Sequence, residues 1–492
     1  MQDVKDLALI IDSKVPLIVL ETHDEPAALQ LLTRVAMQRK LGYFCWSITE
    51  GLNRLGFGAD FNDAANSPAP ADALRQIKKQ TVPALFALCD FHPFLANQPE
   101  HVRLLKDIAM AYDRLGHVLV LISHELELPP ELRRYSAKFE LALPNDTQLL
   151  SIIREEANAW SQENPQTALH SDPAIIKQLV RNLHGLTEAD VRRLARGAIR
   201  DDGAITAADI PTINHAKFEL LDMGGVLSFE YDTAKFSAVG GLKRLQQWLQ
   251  LREQAVHSQQ RDRPKGVLLL GVQGSGKSLA AKAIAGMWAL PLLRLDMATL
   301  YNKFIGETEK NLRRALSQAE LMAPCVLWID EIEKGLAGGN NDEGTSQRIL
   351  GTLLTWMAER TSHVFMVATA NDVQGMPPEL LRKGRFDEIF FVDLPDQATR
   401  AEIFAIHLQQ RNFDPIRFDL NALAEHADKF SGAEIEQAVV TTIYTCSAHR
   451  EPMTTAHIQQ ALNGTVPLAI MLAEKIEWLR AWAKERTVPA SA

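Results

Sequence analysis

The stretch Gly271-Val-Gln-Gly-Ser-Gly-Lys-Ser278 has the residue types and spacing to hold a polyphosphate. Glycines at 271, 274 and 276 let successive backbone N–H groups face one anion, and the N-terminus of a following helix favours negative charge there. Lys277 is placed to reach the β- and γ-phosphates of a nucleotide, and Ser278 to hold Mg²⁺. Ser275 and Leu279 belong to the same nucleotide-contacting stretch. Further along, Cys325-Val-Leu-Trp-Ile-Asp-Glu331 carries two carboxylates after an apolar run. Asp330 suits the metal and its water shell, and Glu331 suits a general base for an attacking water. Asn371 ends a third apolar run, His363-Val-Phe-Met-Val-Ala-Thr-Ala-Asn371, where its amide can meet a γ-phosphate or a water. Arg382 and Arg385 flank Gly384 and offer planar guanidinium groups, the usual partners of a transferring phosphoryl group. The chemistry that these residues share is nucleotide hydrolysis.

The elements that must position them are legible as well. Gly266-Val-Leu-Leu-Leu270 reads as a buried strand running into the glycine loop, and Leu279-Ala-Ala-Lys-Ala-Ile-Ala285 as the helix leaving it. The two later apolar runs read as further strands that end in polar residues. The expected fold is α/β, a three-layer αβα module with a parallel sheet, followed by helices.

At this point the chain resembles the AAA family of ATPases in its protein-remodelling branch, over residues 230–465. Val239-Gly240-Gly241-Leu242 resembles the family's lead-in segment beside adenine. Gly271–Ser278 resembles Walker A, Asp330-Glu331 Walker B and Asn371 sensor 1. Arg382 and Arg385 fall on the paired arginine fingers, which in the family reach the neighbouring subunit's site. Glu402-Ile-Phe-Ala-Ile-His407 resembles the first lid helix, with His407 near adenine and ribose. Ser431-Gly432-Ala433 resembles the small-residue turn that closes over the base. The resemblance implies ATP and Mg²⁺ as cofactors, a homo-oligomeric ring of six and a protein substrate. Lys303-Phe304-Ile305-Gly306 resembles the first pore loop, with Phe304 and Ile305 as a wedge against a polypeptide; the same residues also suit a hydrophobic staple onto the following helix. The glycine-rich Gly335–Gly344 resembles a second pore loop or a plain surface connection. Two departures stand out: sensor 1 reads Ala-Thr-Ala-Asn where the family often has Ala-Ala-Thr-Asn, and Ala238 precedes Val239 where an acidic residue is common nearby.

The N-terminal half repeats this pattern in worn form. His117-Val-Leu-Val-Leu-Ile-Ser-His124 and Pro129-Pro-Glu-Leu132 parallel His363–Asn371 and Pro377-Pro-Glu-Leu380. Pro83–Asp90 parallels Pro324–Asp330, which puts Asp90 in the place of Asp330, followed by Phe91 rather than a glutamate. Pro16-Leu-Ile-Val-Leu20 runs into Glu21-Thr-His-Asp-Glu25, acidic residues without a glycine loop or lysine. His124 takes the sensor position, and Arg134 and Lys138 fall near the finger positions. The expectation is a degenerate AAA-like α/β domain over 1–145 with its own helical lid over 146–212. A linker over 213–236, an ATPase α/β domain over 237–396, a lid over 397–465 and a C-terminal amphipathic helix and tail over 466–492 complete the division. This layout resembles the AAA ATPase family of some plastid genomes and bacteria, in which a non-catalytic N-terminal region precedes one ATPase module. Gly351-Thr-Leu-Leu-Thr-Trp-Met357 and Val466-Pro-Leu468 add to that likeness.

Bulk composition bounds the remaining classes. The chain has 492 residues, too many for one core, with 46% hydrophobic and 23% charged residues, as in globular proteins. A net charge of −9 speaks against a nucleic-acid translocase. Cys45, Cys89, Cys325 and Cys446 lie far apart and read as reduced thiols of a cytoplasmic protein. No leader segment and no apolar run of membrane-spanning length is expected. There is no HExxH, so no zinc-protease module of that kind is expected to follow. Two functions fit: an ATP-driven remodeller that pulls on a protein, and a nucleotide-gated scaffold with slow turnover.

Overall fold

A computed structural model describes residues 2–55, 68–167, 170–221, 226–257, 263–301, 307–336, 343–382 and 384–491. Packing divides the chain into two compact units, 1–153 with 186–195, and 154–185 with 196–492.

The first unit is built on Leu17–Glu21 (β1), Gly42–Ser47 (β2), Gly51–Arg54 (β3), Ala84–Cys89 (β4), Val118–Ser123 (β5) and Ser136–Glu140 (β6). They lie in the order β3-β2-β4-β5-β1-β6. All neighbours are parallel except the β2–β3 hairpin at one edge. Continuous apolar runs such as Val118-Leu-Val-Leu-Ile122 fit a sheet covered on both faces. Alternate residues of β4 accordingly enter different cores. Leu85, Ala87 and Cys89 pack with Leu32 and Val35 on one face, and Phe86 and Leu88 with Leu74 and Leu105 on the other. Cys45 and Cys89, distant in sequence, lie on neighbouring strands with their sulfurs 3.7 Å apart, and both are free thiols.

In the second unit, His170–Ser171 (β7) and Ala204–Ile205 (β8) form a small parallel pair. Its main sheet contains Leu227–Glu230 (β9), Gly266–Gly271 (β10), Leu292–Leu295 (β11), Cys325–Ile329 (β12), Val364–Ala370 (β13), Glu388–Val392 (β14) and Val488–Pro489 (β15). The order is β15-β14-β10-β13-β12-β11-β9, with only β9 antiparallel to its neighbour. Leu268 and Leu270 face one core while Val267 and Leu269 face the other, which gives three layers. The strand after the glycine loop's helix, Lys277–Met287, thus returns to a sheet with helices on both sides.

The two sheets share one topology. Numbering the core parallel strands of each by appearance, both read fifth, first, fourth, third, second: β6-β1-β5-β4-β2 and β14-β10-β13-β12-β11. In such a sheet the C-terminal ends of the first, third and fourth strands adjoin, at the crevice where α/β proteins bind ligands. The first unit is therefore an AAA-like sheet whose glycine loop is replaced. After β1 the helix Glu25–Arg39 is capped by its own carboxylate: Asp24 accepts the Ala27 N–H at 3.0 Å. A protein anion occupies the position where a helix N-terminus would take a phosphate. One register needs correction. Counted from Pro83 and Pro324, Asp90 stands at Glu331, not at Asp330. Both adopt left-handed backbone, φ 49° and 47°, and Cys89 stands at Asp330.

Helix Asp209–Leu220 runs through residues 213–220, and β9 follows. At the C-terminus, helix Ala473–Ala483 packs Leu479 into the core beneath the sheet, with Trp482 beside it. The tail beyond it is not a loose end: it forms β15 on the edge of β14. Among the described residues, no helix is long and apolar enough to cross a membrane.

Candidate functional site

The strand β10 delivers the glycine loop to a pocket of about 350 Å³. Gly274, Ser275, Gly276, Lys277, Ser278 and Leu279 line it from one side, Asp330, Glu331, Thr369 and Asn371 from a second, and Gly240, His407, Gly432 and Ala433 from a third. Gly271 and Gly241 border the pocket without lining it. Gly274 has φ +78°, and a Cβ there would stand 2.8 Å from Ser431 Oγ, so a side chain would push the lid off the loop. The lid is bonded to the loop as well: the Ala433 N–H donates to the Gly274 carbonyl at 3.2 Å. Ser431 opens the helix Gly432–His449 with a capping box, its Oγ accepting from Glu434 N while the Glu434 carboxylate accepts from Ser431 N. That box fixes the start of the helix, and the Ala433–Gly274 bond holds the turn against the glycine loop.

Lys277 is 6% exposed and donates to the carbonyls of Gly271 at 3.0 Å and Val272 at 2.7 Å. Burial lowers its pKa to about 8, against the opposing pull of Glu333, Asp330 and Glu331. Ser275 Oγ is buried without a hydrogen-bond partner among the described residues, a hydroxyl left for a ligand oxygen. Ser278 Oγ lies 3.5 Å from Asp330 Oδ1. Two oxygens at that separation, one from the first turn of the helix Lys277–Met287 and one just after β12, suit a hard cation such as Mg²⁺.

The carboxyl-bearing residues Asp330 and Glu331 are held by β13. The Thr369 hydroxyl donates to Asp330 Oδ1 at 2.6 Å and accepts the Glu331 N–H at 3.0 Å. Asn371 Nδ2 donates to Glu331 Oε1 at 2.8 Å, and Lys334 holds the other Glu331 oxygen. Residues 369 and 371 share a face of the strand because side chains alternate, while Ala370 faces away. The unusual order Ala-Thr-Ala-Asn thus has a physical role: it turns the threonine towards Asp330.

Three site residues escaped sequence reasoning. Glu333 is buried, takes the Asn371 N–H at 2.9 Å on one oxygen and leaves the other without a partner among the described residues. Burial holds its carboxyl above the usual range. Arg294, at the end of β11, pairs with Asp330 at 3.3 Å while lying over the Trp328 ring. Thr369 was visible only as a departure from a familiar pattern. No local signal marks Glu333 or Arg294, since their partners lie on other strands.

The third wall of the pocket is more apolar, with Val239, Ile403, Ile406 and Ala433 in the lining. A Cβ on Gly240 would stand 2.6 Å from Ile403 on the lid helix Gln397–Gln410. His407 is half-enclosed beside Glu436 at 3.8 Å, and burial lowers its pKa. Arg382 and Arg385 do not line this pocket. Arg382 is exposed, and Arg385 donates to the Leu354 carbonyl at 2.6 Å. Phe304, Ile305 and Gly306 lie outside the described residues, as does most of the second loop.

Comparison with known proteins agrees with this geometry. Residues 267–394 match the ATPase family associated with various cellular activities (AAA). Residues 3–141 match the SpoVK-like AAA ATPase N-terminal domain, and residues 147–224 its second domain. The AAA domain-containing protein ycf46 of Pyropia yezoensis is 35% identical over 98% of both chains. The chain belongs to the AAA ATPase family. A ycf46 protein of Guillardia theta is 34% identical over 98% of this chain and 95% of its own. The proteasome-activating nucleotidase of Aeropyrum pernix is 39% identical over 37% of this chain and 46% of its own, a more local likeness. This AAA protein therefore carries SpoVK-like N-terminal domains before a single described P-loop module, and family membership implies nucleotide binding.

Proposed function

We propose that the protein binds ATP with Mg²⁺ in this pocket, hydrolyses it, and works as a homo-hexameric ring that pulls on a polypeptide. The observation that carries the reading is the meeting, beyond the C-terminal ends of the central strands β10, β13 and β12, of Lys277, the Ser278–Asp330 oxygen pair and the Asn371-oriented Glu331. Lys277 and the loop amides hold the phosphates. Ser278 and Asp330 would hold Mg²⁺, which would supply positive charge to offset that of the phosphates. Glu331 takes the proton of the attacking water, with Asn371 fixing its carboxylate. Arg382 and Arg385 lie outside the pocket of their own chain, which fits service to a neighbour's site. A relative that bears the name of a proteasome activator makes polypeptides the substrate class to test first.

A second reading rests on Glu331 itself. Both of its oxygens are engaged, by Asn371 and by Lys334. A base held in that way favours slow basal turnover, as in a nucleotide-gated scaffold.

The deciding experiment measures particle mass and ATPase rate together, for wild type and Glu331→Gln, with and without ATP. A ring of six with ATP, and wild-type turnover that rises with protein concentration, supports the remodeller. A monomer that binds ATP and barely turns over supports the scaffold. Phe304→Ala then separates them further: remodelling fails with basal hydrolysis retained, whereas a scaffold is indifferent.

A further inference from the structure

In the first unit, the strand ends that correspond to the nucleotide site carry histidines. His23 follows β1, Asp90 and His92 follow β4, and His124 follows β5. The three strands are neighbours in the order β4-β5-β1, so the four residues converge by topology and not by chance proximity in the chain. One ligating atom from each of Asp90, His92 and His124 lies within 4.8 Å of the other two, and this is the single such group among the described residues. The rings of His92 and His124 meet edge to face with centres 4.8 Å apart, and His23 lies tilted against His124 at 5.8 Å. His92 Nδ1 is bonded to the Ser123 hydroxyl and lies 3.9 Å from Asp90 Oδ1. A groove of about 1170 Å³ leads away from His92 and His124 along helix Pro99–Met110.

We propose that Asp90, His92 and His124 form a zinc-class metal site, with a fourth coordination position open to the groove. Imidazole nitrogens suit Zn²⁺ and its neighbours, whereas Mg²⁺ prefers oxygen alone. Three protein ligands plus one open position is the arrangement of zinc sites that engage a further molecule. In a tetrahedral site with bonds of about 2.0–2.1 Å the ligand atoms stand roughly 3.4 Å apart. Asp90 and His124 are exposed, so side-chain rotation closes the remaining gap without disturbing the core. The Ser123 hydroxyl orients His92, as an outer hydrogen bond does for a metal-bound imidazole. The contrast with the second unit is chemical: there Ser278 and Asp330 present oxygens alone, for a hard cation, whereas here two imidazoles join one carboxylate. The inference is independent of the nucleotide reading.

The test uses the full chain, stripped with a chelator and dialysed into excess Mg²⁺ so that oxygen-only sites are masked. Zn²⁺ alone is titrated by calorimetry and Co²⁺ alone by visible absorption. The expected result is one Zn²⁺ per chain and tetrahedral Co²⁺ bands in the wild type. His92→Ala and His124→Ala lose both signals, Asp90→Asn weakens Zn²⁺ binding about 10-fold or more, and the exposed His449→Ala keeps wild-type binding. His124→Gln serves as a second variant, with unchanged thermal midpoint as the check on folding. A wild type that takes up no Zn²⁺, or His92 and His124 variants that bind it as the wild type does, overturns the proposal.

Discussion

Asn371 Nδ2 and Glu331 Oε1 stand 2.8 Å apart, joining the end of β13 to the turn after β12. The bond fixes the direction of a carboxylate whose backbone is already held in the left-handed region at φ 47°. Removing it frees the base without removing it. Asn371→Ala should therefore keep ATP affinity and lower kcat by up to about 10²-fold, the scale of a misplaced catalytic group. Steady-state rates together with equilibrium nucleotide binding check this. An unchanged kcat would show that Lys334 alone suffices to place Glu331.

Thr369 bridges Asp330 and the Glu331 amide through one hydroxyl. Thr369→Val keeps the shape and deletes both bonds. A hydrogen bond to a charged group contributes about 1.5–3 kcal/mol, so Asp330 should lose orientation and the Mg²⁺ concentration needed for half-maximal ATPase should rise about tenfold or more. The Mg²⁺ dependence of the rate is the measurement. Restoring the hydroxyl with Thr369→Ser should recover most of it.

Lys277 gives the site a pH signature. Its pKa in the folded protein is lowered to about 8, and phosphates stabilise only the protonated form. Nucleotide binding therefore takes up a proton above that value, and ATP affinity should fall as pH rises through 8, by no more than about tenfold per unit. Stability of the free protein runs the opposite way. Between pH 8 and the ordinary lysine range the unfolded chain holds the extra proton, so this group's contribution to stability rises with pH over that window. Titration calorimetry from pH 7 to 9.5 tests the first statement, with Lys277→Ala expected to bind weakly and without the slope.

The C-terminal tail links the sheet edge to the adenine side. The Ala490 carbonyl accepts the N–H groups of Arg244 and Leu245, capping helix Lys243–Gln250, whose N-cap residue Leu242 offers no side-chain bond. Ala490 N in turn donates to the Phe391 carbonyl at 2.9 Å. The segment just before that helix contains Gly240 of the pocket and Gly241, whose N–H donates to Glu402 at 3.1 Å. Deleting 487–492 should remove a cap of about 1 kcal/mol along with β15, lower the thermal midpoint, and raise the ATP Kd. Unchanged ATP affinity in the truncated chain would confine the tail to stability.

Much of the site was legible because its parts are contiguous in the chain. Gly271–Ser278 must be one loop between one strand and one helix, and Asp330-Glu331 must end a buried strand, so residue order alone carries the chemistry. Ser431 with Glu434 is likewise a local capping pair, although only the structure shows the box formed. The division of labour inside the pocket was not legible in this way. Thr369 looked like a deviation until strand alternation turned it towards Asp330.

The repeat shows the same limit from the other side. Shared Pro-Pro-Glu-Leu and apolar runs pointed to a second AAA-like sheet, and the common strand order agrees. Yet Asp90 was placed one residue off, because a strand's apolar run does not reveal where its turn begins; the positive φ does.

By itself, then, the amino-acid order determined the α/β class and the strand-loop-helix order around Gly271–Ser278, and it pointed to Asp330, Glu331 and Asn371 as candidate site residues. These depend on neighbours in the chain and on period-two burial. Tertiary structure alone decided which side chains hold those groups: Thr369 under Asp330, Glu333 behind Asn371, Arg294 beside Asp330, Ala490 over the helix of Lys243, and the histidines gathered at the first sheet's edge. Each of these joins residues from different strands or helices, and such pairs acquire a relationship only when sheet order brings their ends together.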